Sequence, residues 1–369
     1  MFPLKHLFRR RLHHTRKSLT LSDVATHITT LETAPSYPAA LLKNGSLNDT
    51  THSLFQNWRS SPCTLRQYTL ENVVLDTASM MFFQNGHPII DTAYLQAPDV
   101  IPTLAIREDT LISAPPEQEM MAACFDHWHQ NYYHWITHTI PTLFHLKNND
   151  YNGGLILPSL TKWQEESIRM LGFDPARSTR TEPGKQYAFR KVLYTDCVKG
   201  AADFSVLTSS RQAYHTLTHT AHISTRATTP VNLFIERGQS PNRFVSNEAE
   251  LSQALTQIGF TSVQPETFSL TEQIRLFSQA HIVIGALGAG MANLAWCKPG
   301  TIICELVPQQ HTNPCTLVLA MQMQLQYWGE PIETGVDIAS HITPANKTFD
   351  IPKIVQRAKE IIHYAESMK

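Results

Sequence analysis

From residue 231 onward, short continuous apolar runs alternate with segments whose apolar positions recur every three to four residues. Runs at 231–235, 261–264, 281–285 and 301–306 have strand length, and the Gly and Pro residues around them suit inner strands of a parallel sheet. Between them the spacing predicts helices over 247–258, stopped by Gly259, over 270–279, and over 289–296. Ser269 with Glu272 three residues on has the spacing of a capping box. Strands alternating with helices predict a doubly wound sheet, which binds ligands outside the carboxyl ends of its strands. Three groups fall at such ends: Arg237, the turn carrying Leu287, Gly288, Ala289 and Gly290, and Glu305.

The first half is less regular. Strand-like pieces occur at 73–76, 103–107, 154–158 and 191–195, a helix is expected over 161–171 ended by Gly172, and another begins near Tyr132. An amphipathic helix is expected over 354–368. At 369 residues the chain exceeds one ordinary core. The expected organisation is a basic arm over 1–20, an N-terminal α/β domain over 21–228, a C-terminal Rossmann-like domain over 229–350 entered through a Thr-rich stretch at 224–230, and a closing helix over 351–369.

Charge changes this picture at one end. The net charge of -1 hides an arm, residues 1–17, with Lys5, Arg9, Arg10, Arg11, Arg16, Lys17 and no acid, so that the remainder carries 24 basic against 31 acidic residues. An acidic body argues against a nucleic-acid protein. The arm suits a solvated tail or a contact with anionic lipid. No later apolar run matches a signal peptide or a membrane span, and the six cysteines show no C-x-x-C, which together suggest a cytoplasmic protein with reduced thiols. The glycosylation sequons at Asn44, Asn48 and Asn346 are read as chance on that basis.

Candidate chemistry gathers between Asp126 and Pro141, a stretch dense in histidine and aromatic rings. On a helix, His134 and His138 share a face one turn apart. Zinc ligation, packing among aromatics, and catalysis or substrate binding all suit such a pair. Trp135 stands where the metalloprotease motif has Glu, while neutral imidazole is a suitable base and aromatic rings can stack on sugars or bases. Glycines 285, 288 and 290 follow the third strand in the order G-x-x-G-x-G, not the dinucleotide order after the first. Their turn still offers backbone N–H groups to an anion. A carboxylate at Glu305 needs a partner, either a ribose diol or a basic side chain. Walker A, G-x-S-x-G and D-x-D motifs are absent, so a sugar transferase of this sequence would neutralise its leaving diphosphate with arginine and backbone amides.

Asn131-Tyr-Tyr-His134-Trp135 with Pro141 downstream, Phe234-Ile-Glu-Arg237, Asn247-Glu-Ala-Glu-Leu251, and Gly288-Ala-Gly290-Met-Ala-Asn293 followed by Pro299-Gly300 and Glu305-Leu306 resemble glycosyltransferase family 61. The resemblance runs from about Asn131 to Pro308. That family includes bacterial capsular polysaccharide biosynthesis proteins. The resemblance implies a GT-B-like α/β fold, two Rossmann-like doubly wound domains facing across a cleft, and inverting, metal-independent transfer from a nucleotide-sugar to a glycan or lipid-linked glycan, with no cofactor. It implies Arg237 on the diphosphate, Gly288, Ala289, Gly290 and Asn293 at the donor, Glu305 on the ribose, and Asn131, Tyr133 and Trp135 on the acceptor side. Leu287 departs from the family's frequent His, and His138 from its frequent acid. The expected base is His138 or His134, in surface polysaccharide synthesis at the cytoplasmic face of the inner membrane. The alternative is a non-catalytic glycan- or nucleotide-binding module on the same scaffold.

Overall fold

The computed structural model describes residues 17–39, 55, 57–93, 105–107, 110–113, 119–221, 230–237, 245–309, 312–332 and 348–368. The first half forms a nine-stranded sheet from β1 (His27–Ala34), β2 (Cys63–Asp76), β3 (Met81–Gln84), β4 (His87–Ile89), β5 (Leu111–Ser113), β6 (Met121–Ala123), β7 (Gly154–Leu157), β8 (Ser178–Arg180) and β9 (Gln186–Thr195). Its order is β4-β3-β2-β9-β6-β7-β8, with β1 also on β2 and β5 also on β9.

This sheet departs from the doubly wound expectation. Its β6, β7, β8 and β9 pair in parallel, but β2 runs antiparallel to β1, β3 and β9. β3 and β4 are antiparallel as well, and their connection dictates it. Asn85 and Gly86 have φ of 50° and 76°, as the two central residues of a type I′ hairpin require, and a two-residue link can join only antiparallel strands. The strand expected at 103–107 is not one over 105–107, and 103–104 lie outside the described residues.

The second half follows the pattern through β13, and adds a helix at Cys315–Met323 and a strand at Gln326–Ile332 that the pattern did not predict. β10 (Val231–Ile235), β11 (Phe260–Val263), β12 (Ala280–Ala286), β13 (Ile302–Pro308) and β14 (Gln326–Ile332) form an all-parallel sheet in the order β11-β10-β12-β13-β14. Chain order reverses between β10 and β12, which opens a crevice at their carboxyl ends. One face carries the helices Glu248–Thr256 and Ile351–Ser367, whose Leu251, Leu255, Ile354, Ala358 and Ile361 pack with Ile282, Ile284, Cys304 and Leu306. The other face carries Leu270–Phe277, opened by the expected Ser269–Glu272 capping box, the 3-10 helix Ala289–Trp296, and Cys315–Met323.

That second face merges with the helices of the first half, Ile140–Asn148, Lys162–Met170 and Thr208–Thr220. One apolar core runs from Leu70, Leu155 and Tyr194 in the first sheet to Val283, Ile303 and Tyr327 in the second. Polar staples cross the same boundary. The Glu166 carboxylate accepts the first N–H groups of Leu270–Phe277, from Leu270 and Thr271 at 3.1 Å each, where the helix dipole favours an anion.

The basic arm up to Arg16, most of the Thr-rich stretch and the three sequons lie outside the described residues. Among those described, no helix is long and apolar enough to cross a membrane. All six cysteines are free thiols.

Candidate active site

Segments following β6, β9, β12 and β13 meet around a cavity of about 220 Å³ lined by Asn131, Tyr133, His134, Asp203, Phe204, Leu287, Gly288, Ala289, Asn313 and Cys315. A larger cavity of about 550 Å³, beside Thr208 and Arg211, holds none of the expected catalytic, donor-side or acceptor-side residues.

On one side of the smaller cavity stands the glycine turn. Arg237, just past β10, donates from Nη1 to the Leu287 carbonyl at 2.7 Å, and its backbone N–H donates to Glu248 Oε1 at 3.0 Å. Gly288 is extended (φ 172°, ψ 172°), a conformation open to any residue. What excludes a side chain is the guanidinium: a Cβ at 288 would lie 2.0 Å from Arg237 Nη1. Gly285 and Gly290 serve close packing, since a Cβ would come within 2.7 Å of Met291 Sδ at the first and 3.2 Å of Ile235 Cγ2 at the second. The buried Leu287 contributes a carbonyl to Arg237 where an imidazole would contribute a donor.

On the other side lies an imidazole–carboxylate cluster. Asn131 caps the helix that starts at Tyr132 by accepting the Tyr133 N–H at 2.9 Å. The helix then takes a π turn over Trp135–Thr139, and the Thr142 hydroxyl donates to the His138 carbonyl at 2.8 Å. The turn sets the His134 and His138 rings edge to face, centroids 4.9 Å apart. Asp126, just past β6, receives both: Oδ2 lies 3.1 Å from His134 Nδ1 and 2.5 Å from His138 Nδ1. Asp203, in the run of turns after β9, meets His138 Nε2.

Burial alone would drive the proton off His138, but the Asp203 and Asp126 carboxylates at its two nitrogens outweigh burial and push its pKa up to about 9. Burial likewise opposes the charged form of Asp126, and hydrogen bonds from His134 and His138 hold its carboxyl far below the usual range. His138 is thus an imidazolium between two carboxylates, 2% exposed. A protonated ring with both nitrogens committed cannot take a proton from an acceptor, so the geometry does not suit His138 to the role of base. His134 is less buried, lines the cavity, and has its Nδ1 against Asp126.

Of the remaining expected residues, Asn131 and Tyr133 line the cavity, and three are placed elsewhere. Trp135 is buried in the core with its Nε1 donating to Ser167 Oγ at 2.9 Å. Asn293 is buried beneath the turn, its amide oxygen accepting from the Tyr132 hydroxyl at 3.0 Å and Trp296 Nε1 at 3.1 Å. Glu305 is 0% exposed in β13, in register with Gly285 and Gly329, and accepts from the Tyr327 hydroxyl at 2.5 Å. The Tyr327 hydroxyl is one partner of its Oε2.

Asp126, His134 and His138 hold their ligand atoms within 4.8 Å of one another, a two-imidazole, one-carboxylate set of the kind that divalent transition metals accept. Here the three bond to each other, and His138 turns its second nitrogen to Asp203. Asp203, Phe204, Asn313 and Cys315 join the cavity without any sequence signal. Each is a single side chain in a loop or at a helix start, brought in by tertiary packing.

Residues 132–304 match the family model described as Glycosyltransferase 61, a span that takes in His134, His138, Asp203, Arg237 and the glycine turn. The match supports assignment of the chain to that family. No curated protein matches the chain.

Proposed function

With glycosyltransferase family 61 as premise, we propose that this protein moves a sugar from a nucleotide-sugar donor to a hydroxyl of a glycan or lipid-linked glycan, with inversion at the anomeric carbon. The observation that carries the reading is that two chemistries meet at one cavity: the wall at Leu287, Gly288 and Ala289, whose Leu287 carbonyl is held by Arg237, and the wall at His134, whose Nδ1 lies against Asp126. His134 takes the role expected of His138. With Nδ1–H donating to Asp126, Nε2 is the basic nitrogen and removes the proton of the acceptor hydroxyl. The hydroxyl oxygen bonds to the anomeric carbon as the bond from that carbon to the diphosphate oxygen breaks. Charge growing on the leaving diphosphate is met by the guanidinium and the turn amides.

A thermal-shift screen of nucleotide-sugars tests this reading, because a donor at a hundred times its dissociation constant adds about 2.7 kcal/mol of stability. Release of free nucleotide must follow for the donors that stabilise. Binding without release would identify a non-catalytic binding module. His134→Ala should cost roughly a hundred- to ten-thousand-fold in turnover with little change in donor affinity.

Arginine and amides take the place of a divalent ion in this mechanism, so EDTA should leave turnover intact. Loss with EDTA and recovery with a divalent ion would assign Asp126, His134 and His138 as ligands instead. The setting we propose is surface or capsular polysaccharide synthesis at the cytoplasmic face of the membrane, the arm over 1–17 touching anionic lipid. Equal flotation of the full chain and a chain lacking residues 2–17 with anionic vesicles would refute the arm's part.

A further inference from the structure

Of the six tryptophans, Trp128 alone is exposed, at 46%; the others are buried or half-buried. Its position is nevertheless fixed. The Trp128 backbone N–H donates to Asp126 Oδ1 at 2.7 Å, on the same carboxylate whose other oxygen receives His134 and His138. Its indole leans on the His134 ring, with centroids 6.3 Å apart and planes 35° from parallel. A second large exposed ring, Phe204 at 39%, lines the cavity beside Asp203. Two of the few large exposed apolar side chains among the described residues therefore flank the proposed base.

We propose that Trp128, with Phe204, is the platform on which a pyranose ring of the acceptor stacks, setting its reacting hydroxyl at His134. The inference rests on the proposed transfer reaction and adds where the acceptor sits. A pyranose offers an apolar C–H face to an indole and a rim of hydroxyls to polar neighbours, and an aromatic ring binds such a face at little cost in side-chain freedom. Here Phe204 shares the cavity wall with His134, Asp203 and Asn131, and Trp128 stands against His134. A lipid chain would call for a contiguous apolar patch, which His127 and His134 on either side of the indole interrupt. The acceptor, not the donor sugar, is assigned to this surface because Trp128 stands against His134, while the diphosphate position is set by Arg237 and the turn across the cavity.

The test uses the full chain, the nucleotide-sugar that stabilises it, and a panel of octyl α- and β-hexopyranosides as acceptors. Two rates are read: transfer to the glycoside, and release of nucleotide to water with no acceptor present. Trp128→Ala should raise the acceptor KM tenfold or more and leave release to water unchanged. Trp128→Phe should recover most of the affinity, and Phe204→Ala should show a smaller rise. An unchanged acceptor KM in Trp128→Ala overturns the platform. So does an equal loss of transfer and of release to water, which would mean that the indole merely holds the His134–Asp126 pair. Wild-type protein that releases nucleotide to water yet transfers to no glycoside overturns it too. Wild-type protein that releases nucleotide from no donor refutes the transferase reading itself, and the platform falls with it.

Discussion

His138 carries a carboxylate at each ring nitrogen, and that arrangement has a pH signature. Its pKa rises from 6.5 to about 9 in the folded chain, so the stability it contributes is fully present below about pH 6.5 and is lost as pH climbs through 9. Asp126 works in the opposite direction: its depressed value contributes stability above its ordinary 3.8, lost as pH falls below it. His138→Gln should therefore destabilise most between about pH 4 and 6.5, by roughly 3 kcal/mol at the order of magnitude set by the shift. Urea melts of both proteins across pH check this; a gap that stays constant up to pH 10 would contradict it. Gly288→Ala tests the turn. The added methyl must displace Arg237, so turnover should fall on the order of a hundredfold or more, as for loss of one charge-stabilising group, with the melting temperature little changed. Steady-state kinetics beside a thermal melt reads both. These residues were unequally legible: His134 and Arg237 sit in recognisable blocks, whereas Asp203 is a lone acid whose meaning depends on a histidine 65 positions away.

At the level of elements, β10, β12 and β13 were readable as apolar runs bounded by Gly or Pro, and the helix Leu270–Phe277 by its Ser269–Glu272 cap, whereas β14, interrupted by Gly329, Glu330 and Pro331, and the helix Cys315–Met323 were not. The first sheet was harder. In β2, buried and exposed positions alternate irregularly over 14 residues, and the pattern at 73–76 showed just its end. Asn85-Gly86 is a hairpin signal, but its flanking strands are four and three residues long, too short to show an alternation of their own. The closing helix Ile351–Ser367 was visible as an element, but not its anchor. Glu330, buried in β14, pairs with Arg357 Nε at 2.8 Å and Lys353 Nζ at 2.7 Å. Arg357 also lies over the Trp328 ring, 5.7 Å from its centroid. Arg357→Ala leaves most of a buried carboxylate's compensation missing and should cost about 3 kcal/mol. Donor turnover at room temperature should survive, since this helix lies on the sheet face away from the cavity. A melting temperature equal to wild type would show that Lys353 alone suffices.

For the whole molecule, the shared core decides how the chain unfolds. Helices from both halves pack into one apolar cluster, and Glu166 caps a helix of the other half. Calorimetry should accordingly record a single transition, with calorimetric and van't Hoff enthalpies in agreement. Two resolved transitions would mean that the sheets melt separately. Trp135, Asn293 and Glu305 belong to this scale: their places in the family's blocks marked them as ligand groups, yet all three are buried, bonded to Ser167, Tyr132 and Tyr327 respectively.

The Glu166 cap also bears on how substrates arrive. A carboxylate that holds two backbone amides of the opposite half acts as a bolt across the line along which a clamshell would open. Entry and exit then depend on local movement of segments around the cavity mouth, and the envelope of the molecule keeps its dimensions through the catalytic cycle. Small-angle X-ray scattering should give the same radius of gyration with and without a saturating nucleotide-sugar, and Glu166→Gln, which weakens the bolt, is the variant in which a ligand-dependent contraction should first appear.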